Sequence, residues 1–388
     1  MNNTKQRIRI GMVGGGQGAF IGNVHRIAMR ISDRYSLEAA CFSSDPQRAA
    51  ASAQELGVPA ERGYPDYQTM ARIEAARQDG IRAVVIVTPN HLHFPIAKCF
   101  LEYGIHVICD KPLTMTGAET AELIALSQRM DKHLFVTYNY TGYPMIREAR
   151  ERVRRGDLGE IRIIQVEYSQ DWLATALEQS GQKQASWRTD PKQAGAAGCL
   201  GDIGVHAFNL AHFVSGMTPT KIAADLHSFV PGRVLDDHAQ VLMRYANGAR
   251  GTLLSSQVAV GKENHLRLQI FGDKGALDWC QEHPNQLSFS TLDGATQILS
   301  RARHQISQAS RDVSLIPAGH PEGYLEAFSV LYKEFAHILA MPFGAYAEGN
   351  SATAHSAMPA YSDLCFIEAC IASSTKDTVW TELKANLP

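Results

Sequence analysis

The chain has 388 residues and a formal net charge of -2 at pH 7; hydrophobic residues make up 45% of it and charged residues 20%. This length suits two domains, and this composition can form a sizeable hydrophobic core. The near balance of charges predicts no nucleic-acid partner, and no apolar run approaches the length that spans a membrane.

The cysteine pattern and the N-terminal residues indicate the cellular compartment in which the protein is expected. The chain has seven cysteines, an odd number with no CxxC pair, and most of them lie in apolar runs. This pattern predicts buried free thiols in a reducing cytoplasm, and the spacing predicts neither a zinc site nor any other metal. Residues 1–9 are polar and lead directly into a strand, so no signal peptide is expected.

A glycine-rich turn near the N-terminus is the most informative stretch of the chain. The apolar run over 8–13 predicts a buried strand, and residues 20–31 have helical apolar spacing. Between them, Gly14, Gly16 and Ala19 match the G-x-G-x-x-G/A pattern that binds a dinucleotide pyrophosphate at a helix N-terminus. The residues predicted to contact the coenzyme in this turn are Gly14, Gly16, Gln17, Gly18, Ala19 and Phe20.

The end of the second predicted strand, over 35–42, bears on the choice of coenzyme. An acidic residue at this place binds the ribose hydroxyls in NAD-preferring sites. Ser43 and Ser44 occupy the place here, and Arg48 opens the next helix, where it could either reach a 2′-phosphate or only face solvent. NAD is the predicted preference because no arginine directly follows the two serines, but the sequence leaves NADP open.

Strands alternate with helices over about the first 140 residues, which predicts a doubly wound, Rossmann-type parallel sheet. The clearest strand is the continuous apolar run 83–87. Ligands bind outside the carboxyl ends of the strands in such sheets, so the polar segments that follow the strands are candidates for the coenzyme site. They contain Thr88, Pro89, Asn90, His93, Asp110, Lys111 and Asn139.

The pattern changes after about residue 143. Longer runs alternate apolar and polar residues, which predicts an α+β domain with a large, mostly antiparallel sheet, and Asn247-Gly248 between two runs predicts a hairpin. The segment 281–311 is polar and irregular, and helical patterns return near the C-terminus, where the helices could pack back on the first domain. The predicted domains are therefore residues 1–142 and 143–388.

Three residues are candidates for catalysis. Lys111 follows a sheet strand and precedes Pro112, a position from which a lysine can donate to a reacting hydroxyl or carbonyl oxygen. Asp202 and His206 are four residues apart and share one face of a helical turn, where a carboxylate can orient an imidazole for proton transfer. A simpler interpretation, a helix-capping aspartate and a core histidine, stays open at this point.

A looser set of polar and aromatic residues suits a sugar pocket, although each could equally belong to a surface loop. The set comprises Trp187-Arg188, the run Asp236-Asp237-His238, and the segment around His320.

Together, the glycine turn, the segment 88–93, Asp110-Lys111-Pro112 and the segment 201–206 resemble the glucose-fructose oxidoreductase/inositol dehydrogenase (Gfo/Idh/MocA) family. The resemblance implies a nucleotide-binding domain joined to a larger open-faced sheet, with activity on cyclic polyols and sugars. The family's Glu-Lys-Pro signature is Asp-Lys-Pro here, which keeps the lysine. By this match Lys111, Asp202 and His206 form the catalytic set, and Asn139-Tyr140 matches the family's Asn-Tyr segment.

Within that family, the stretches 42–46, 187–188 and 319–324 are similar to the longer members, which include levoglucosan dehydrogenase. The resemblance implies an NAD(P)-dependent oxidoreductase that oxidises a ring hydroxyl of a cyclic polyol, sugar or anhydrosugar. The substrate contacts expected on this basis are Tyr140, Trp187, Arg188, His238 and His320.

Two other functions fit the same resemblance. An NAD-dependent glycosidase oxidises a ring carbon transiently and would use the same three residues, and a non-catalytic nucleotide-binding regulator could share the fold. The second is disfavoured because a regulator has no need of a proton-transfer set. An open sheet face would need covering, so a homodimer or homotetramer is expected.

Overall fold

The computed structural model describes residues 7–344 and 357–385 and divides the chain into two compact units. Of the described residues, the first unit holds 7–114, 118–137, 328–344 and 357–360, and the second holds 115–117, 138–327 and 361–385. The N-terminal part of the first unit thus ends at Thr137, whereas the predicted end of the first domain was residue 142. The first unit also includes a segment from near the C-terminus. The N-terminal residues 1–6, part of the stretch interpreted as lacking a signal peptide, lie outside the described residues.

The first unit contains a parallel sheet of five strands in the order β2-β1-β3-β4-β5. Its strands are β1 (Ile8–Gly14), β2 (Tyr35–Cys41), β3 (Ala83–Val87), β4 (His106–Cys109) and β5 (Leu134–Val136). The intervening helices are α1 (Phe20–Ser32), α2 (Pro46–Glu55), α3 (Tyr67–Ala76), α4 (His93–Glu102) and α5 (Gly117–Arg129). The strand order reverses between β1 and β3, and ligands bind at such a switch point.

The sequence of β3 explains its central position in this sheet. All five of its residues are buried, as its unbroken apolar sequence predicts for a parallel strand covered on both faces. The glycine turn follows β1 and the segment beginning at Thr88 follows β3, so both predicted coenzyme segments lie at the switch point.

The second unit contains a nine-stranded sheet in the order β13-β12-β11-β10-β6-β9-β8-β7-β14, in which only the β6–β9 pair is parallel. Its strands are β6 (Ile161–Ser169), β7 (Lys221–His227), β8 (His238–Arg244), β9 (Arg250–Ser256), β10 (His265–Gly272), β11 (Gly275–Cys280), β12 (Gln286–Thr291), β13 (Gln297–Ser300) and β14 (Thr381–Glu382). The helices from α6 onward are α6 (Pro144–Arg154), α7 (Lys183–Arg188), α8 (Pro191–Ala194), α9 (Val205–Ser215), α10 (Gln308–Val313), α11 (Tyr324–Leu339) and α12 (Ala357–Ser374). The division between the units falls within α11 and α12.

One face of this sheet is buried and the other is open. On β6 the side chains of Ile164, Val166 and Tyr168 are buried, whereas the preceding Ile163 is 42% exposed. On β8, Leu242 is 50% exposed. We call the face that carries Ile163 and Leu242 the open face.

Two local predictions have different outcomes in this unit. The Asn247-Gly248 turn does join two antiparallel strands, β8 and β9, and Gly248 has a φ of 92°, which such a turn requires. The prediction that 281–311 is irregular was wrong, because this segment supplies β12, β13 and α10. Its strands are short and mostly polar, so the pairing of β12 with β11 and of β13 with β12 decides their conformation.

Two further expectations concern the oxidation state of the cysteines and the presence of a membrane-spanning helix. All seven cysteines are free thiols, four of them buried and three half-buried. Among the helices within residues 7–344 and 357–385, none has both the length and the apolar character needed to cross a membrane.

A buried carboxylic acid lies in the core of the second unit. Asp363 on α12 is 1% exposed and accepts a hydrogen bond from Asn209 Nδ2 on α9 at 3.1 Å. Burial raises the pKa of Asp363 to about 8, and the hydrogen bonds from Tyr138 and Asn209 offset only part of this effect. The acid is therefore protonated in the folded protein at neutral pH.

This raised pKa predicts that Asp363→Asn stabilises the protein at high pH. An unfolded aspartate ionises near pH 4, so between about pH 4 and 8 the folded state binds more protons than the unfolded state, and stability falls as pH rises. The neutral asparagine removes this penalty, and we expect a gain of at least about 1 kcal/mol at pH 8 and almost none at pH 4. Denaturant unfolding at both pH values measures it, with exposed Asp293→Asn as the control. An equal effect at both pH values would contradict the assignment.

Candidate active site

The glycine turn after β1 has a conformation that its glycines permit. Gly14 has a φ of 79°, and a Cβ there would lie 2.9 Å from the Thr88 side chain. A Cβ on Gly16 would lie 2.8 Å from Ser52 Oγ and 3.1 Å from Phe42 Cβ. The turn therefore packs closely against its neighbours, and side chains at these two positions would displace them.

A further glycine, Gly22 on α1, was not identified from the sequence. A Cβ on Gly22 would lie 2.4 Å from Gly15 Cα, so this glycine lets α1 approach the turn. In the G-x-G-x-x-G/A pattern the third glycine position allows this close packing of the helix, and here Ala19 occupies that position. A glycine within a helical run was the signal that could have found it.

A cleft of about 460 Å³ opens between the glycine turn and α2. Gln17 fixes one side of it, because its N–H donates to Ser52 Oγ at 3.1 Å and its side-chain amide donates to Glu55 at 2.9 Å. Phe20 begins α1 and is 65% exposed, and Ala19 before it offers no side-chain cap to the helix N–H groups. Uncapped N–H groups at a helix N-terminus suit an anionic group. The lining residues are Gly16, Gln17, Gly18, Ala19, Phe20, Asn23, Arg26, Ser52, Glu55 and Leu56.

The segment after β2 carries the residues that bear on coenzyme choice. Asp45 caps α2, because its carboxylate accepts from the Arg48 N–H at 2.8 Å. Ser43 Oγ accepts from the Asp45 N–H at 3.1 Å, and Ser44 is exposed. The exposed Arg48 guanidinium lies 3.4 Å from the Gln17 carbonyl oxygen, so it reaches back toward the glycine turn.

His93 connects two of the loops at this edge of the sheet. Its Nδ1 lies 2.8 Å from the Pro112 carbonyl oxygen and its Nε2 lies 2.8 Å from the Thr88 carbonyl oxygen. Burial lowers the pKa of His93, although both carbonyl groups favour its charged form. His93 therefore holds the loop after β3, with Pro89 and the buried Asn90, against the loop that contains Lys111.

Asp110, before Lys111, is held as a carboxylate. Burial alone would raise its pKa, but the interaction with His25 and the charges of Lys111 and His93 outweigh burial and lower the pKa to about 2. His25 Nε2 lies 3.8 Å from this carboxylate, and Thr137 Oγ1 donates to it at 2.8 Å. His25 was not identified from the sequence because it lies within α1, distant along the chain.

In the second unit, the segment that carries Asp202 is not an ordinary helical turn. Residues Leu200–Gly204 form a π-helix that leads directly into α9. Asp236 holds its start, because the carboxylate accepts from the N–H groups of Gly198 at 2.7 Å and Leu200 at 2.8 Å. Single π turns occur frequently at functional sites. The prediction of a regular helical turn at Asp202 was therefore wrong in its geometry.

The Asp202 carboxylate lies within a polar and aromatic cluster. It accepts from Arg188 Nε at 3.2 Å and from Gln257 Nε2 at 2.9 Å. The Arg188 guanidinium lies 4.3 Å from the centre of the Trp187 ring, so the structure brings Trp187, Arg188 and Asp202 together. Gln257 was not identified, and no motif in the sequence marks it.

His206, on α9, is buried at 8% exposure among tyrosines. Its ring meets the Tyr140 ring edge-on, with centroids 5.0 Å apart, and the Tyr168 ring lies 6.3 Å away. Tyr168 donates to Asn264 Oδ1 at 2.8 Å, so its hydroxyl oxygen is left to accept from the Tyr140 hydroxyl. This chain of hydrogen bonds fixes both tyrosines beside His206.

The remaining predicted residues lie elsewhere in the second unit. Asn139 is buried at the start of the short 3-10 helix that also contains Tyr140. His238 lies on the open face, whereas Tyr168 lies on the buried one, so the structure does not bring His238 to His206. His320 is exposed, and its carbonyl oxygen accepts from Arg301.

The two aspartates predicted beside His238 have structural contacts. Asp236 holds the π-helix, and the fully buried Asp237 lies 3.0 Å from Arg233 Nη1 and accepts from the N–H groups of Phe229 and Val230.

Two features define the class of protein. A glycine turn lies at the switch point of a parallel sheet, and a histidine, a carboxylate and hydroxyl groups cluster in the second unit. Together they define a nucleotide-dependent oxidoreductase. Two family models match the chain: an oxidoreductase family with an NAD-binding Rossmann fold over residues 8–138, and the GFO/IDH/MocA C-terminal domain over residues 146–278. The chain belongs to the Gfo/Idh/MocA family of NAD-binding oxidoreductases.

Three relatives extend this comparison over the full chain. An uncharacterised oxidoreductase of Bacillus subtilis is 35% identical over 97% of each chain. The levoglucosan dehydrogenase of Pseudarthrobacter phenanthrenivorans is 27% identical over 97% of this chain and 98% of that protein. The structure of an inositol dehydrogenase homologue from Azotobacter vinelandii, in complex with NADH and myo-inositol, is 34% identical with a TM-score of 0.89, covering 97% of this chain and 98% of that chain.

Proposed function

We propose that this protein oxidises a ring hydroxyl of a cyclic polyol, sugar or anhydrosugar. The observation that carries the proposal is the cluster around His206, where an imidazole, two tyrosines, a carboxylate and an arginine stacked on tryptophan lie in one unit. Such groups suit a polyhydroxylated ring, which offers hydroxyls to hydrogen-bond and C–H faces to aromatic rings. The inositol and levoglucosan dehydrogenases among the relatives support this substrate class.

The first unit fits a nicotinamide dinucleotide. Added Cβ atoms at Gly14 and Gly16 would meet their neighbours, and the cleft beside them lies at the N-terminus of α1, where a pyrophosphate binds favourably. The glycine turn and α1 would hold the pyrophosphate, and Ser43, Ser44 and Arg48 would lie near the adenosine ribose. A nicotinamide coenzyme held there would supply the acceptor for the hydride removed from the substrate carbon.

We assign the proton transfer to His206, which accepts the hydroxyl proton as the general base. Asp202 orients the imidazole, and the bonds from Arg188 and Gln257 hold the Asp202 carboxylate in place. Tyr140, fixed through Tyr168, packs against the His206 ring and limits its rotation. Lys111 supplies the cation that stabilises the developing alkoxide.

A set of cyclic polyols, sugars and anhydrosugars, each assayed for NADH and NADPH formation, tests the proposed substrate class. Activity confined to ring compounds with free hydroxyls would support it. Activity only on acyclic alcohols or on none of the ring compounds would contradict it.

We predict a preference for NAD over NADP. No arginine follows Ser43-Ser44 directly, so no such residue is placed there to bind a 2′-phosphate strongly. The Asp45 carboxylate caps α2, so it is not placed to bind the ribose hydroxyls. We expect kcat/KM to be higher with NAD, and Arg48→Ala to reduce activity with NADP more than with NAD, because the exposed Arg48 guanidinium reaches toward the glycine turn. Paired kinetics with one substrate measure this. A preference of the unmodified protein for NADP of about tenfold, or 1.4 kcal/mol, would overturn it.

We also propose that the chain forms a homodimer or homotetramer through the open face. The exposed apolar side chains Ile163, Leu242 and Ile298 on this face support the proposal, because a second copy would remove them from water. Sedimentation equilibrium of the unmodified protein measures the mass, and a monomer would contradict the proposal.

A further inference from the structure

Three potential metal ligands converge at one end of the open face. His265 begins β10, Cys280 ends β11, and Glu282 follows two residues later. His265 Nδ1 lies 2.8 Å from Glu282 Oε2 and 3.8 Å from Cys280 Sγ, and the three donor atoms all lie within 4.8 Å of one another. The antiparallel pairing of β10 with β11 produces this cluster, because it places Arg267 opposite Cys280 and so brings His265 beside the residues that follow Cys280.

We propose that His265, Cys280 and Glu282 form a binding site for a divalent transition-metal ion of the zinc class. One imidazole nitrogen, one thiolate sulfur and one carboxylate oxygen are the ligand types that Zn²⁺ takes. Tetrahedral coordination with Zn–N and Zn–O bonds of about 2.0–2.1 Å and a Zn–S bond of about 2.3 Å requires ligand atoms roughly 3.4–3.6 Å apart. The 2.8 and 3.8 Å separations from His265 Nδ1 are each within about 1 Å of that spacing, and the third, between Cys280 and Glu282, is at most 4.8 Å. Side-chain rotations would therefore be needed to bring the three ligand atoms to that spacing.

The donor set also selects among metal ions. Mg²⁺ and Ca²⁺ take oxygen ligands, and this site offers one carboxylate beside a thiol and an imidazole. Binding deprotonates the Cys280 thiol, whose proton passes to water, and no electron is transferred. Three protein ligands leave the fourth position for water, and the Glu282 side chain is 35% exposed, so solvent reaches the site.

Neighbouring groups support the ligands without competing with them. The Asn264 N–H donates to Glu282 Oε1 at 3.3 Å, which leaves Oε2 directed at His265. The nearest ion pair on the same two strands, Arg267 with Asp278, is bidentate, so the Asp278 carboxylate is already occupied. The cluster is therefore a distinct group of three donors rather than part of a general acidic surface.

This site lies on the other face of the sheet from the proposed catalytic cluster, although Asn264 contacts both, through its N–H to Glu282 and its Oδ1 to Tyr168. In the pairing of β10 with β6, His265 lies opposite Ser169 and Leu266 lies opposite Tyr168, so His265 is on the open face and Tyr168 is on the buried one. The inference thus stands independently of the proposed function.

Titration of the chelator-treated full-length protein with Co²⁺ tests the site. Cobalt bound to a thiolate gives a sulfur-to-metal charge-transfer absorption, which is expected to saturate at one ion per chain and to be displaced by Zn²⁺. Cys280→Ser should abolish this absorption. His265→Gln and Glu282→Gln, which alter partly exposed positions, should weaken binding more than the roughly 10–100-fold loss typical of a partner that only orients a ligand.

Cys99→Ser, which removes another half-buried thiol, is the matched control and should bind Co²⁺ as the unmodified protein does. The absence of a saturable absorption in the unmodified protein would overturn the proposal, as would Co²⁺ affinity in His265→Gln and Glu282→Gln equal to that of the unmodified protein. The cluster would then be only a His265–Glu282 ion pair beside a thiol.

Discussion

Substitution of His206 by alanine is expected to lower kcat by about 10²–10⁴-fold, the usual contribution of a positioned general base. The hydroxyl proton would have no acceptor inside a cluster where His206 is buried against Tyr140. Coenzyme affinity should stay close to that of the unmodified protein, because the pyrophosphate is assigned to the glycine turn. Steady-state kinetics and a fluorescence titration with coenzyme measure the two quantities.

The control for this variant is a second histidine on the same helix, which is half-buried. His212 packs near the end of α9, where its Nδ1 lies 3.3 Å from the Met217 carbonyl oxygen. His212→Ala should lower the thermal midpoint and leave kcat largely unchanged. If His206→Ala and the more conservative His206→Gln both retain near-normal kcat, or both unfold the protein, then His206 is a core histidine and the assignment is wrong.

Lys111→Ala should reduce kcat by a factor comparable to that of His206→Ala. Removing a group that stabilises a developing oxyanion in a site that excludes water costs about 10²–10³-fold. The loss should appear mainly in kcat, because the interaction strengthens as the alkoxide forms. Kinetics with the best substrate from the ring-compound assays measure it.

Two variants define what the lysine contributes. Lys98→Ala removes an exposed lysine of the same unit that pairs with Glu122 at 2.7 Å, and it should leave kcat unchanged. Lys111→Arg keeps the charge but spreads it over a planar group, so it should recover only part of the activity. Full activity in Lys111→Ala would show that Lys111 is a solvated lysine.

Local pattern was sufficient to predict much of the fold. The apolar run of β3, the glycine turn after β1 and the Asn247-Gly248 hairpin each depend on neighbouring residues, and each has the predicted conformation. The same holds for the order of strands and helices in the first unit. These features are determined within a few residues, so periodicity and turn chemistry describe them.

Features that depend on long-range packing were missed. The π-helix at Leu200–Gly204 has ordinary helical spacing in sequence, and a Cβ on Gly204 would lie 2.9 Å from Ser255 Oγ on β9, so packing against a distant strand accompanies it. Gln257 and Asn264 reach Asp202 and Tyr168 from positions 55 and 96 residues away. A lone glutamine or asparagine has no signature until the strands pair.

The ligands of the proposed metal site were also missed because they meet only through long-range strand pairing. The cysteine spacing predicted no metal, because sequence motifs detect ligands that are close along the chain. His265 and Cys280 are 15 residues apart and meet only because β10 and β11 pair.

Net hydride transfer from a substrate ring carbon to the coenzyme can be followed with a substrate deuterated at the oxidised carbon. Reduced coenzyme and oxidised product are measured together, by absorbance and mass spectrometry. We predict one reduced coenzyme per oxidised ring, with the deuterium on the nicotinamide. Cleavage of a glycoside with only catalytic coenzyme, no accumulation of the reduced form and no net oxidation of the ring would contradict it and would favour the glycosidase reaction.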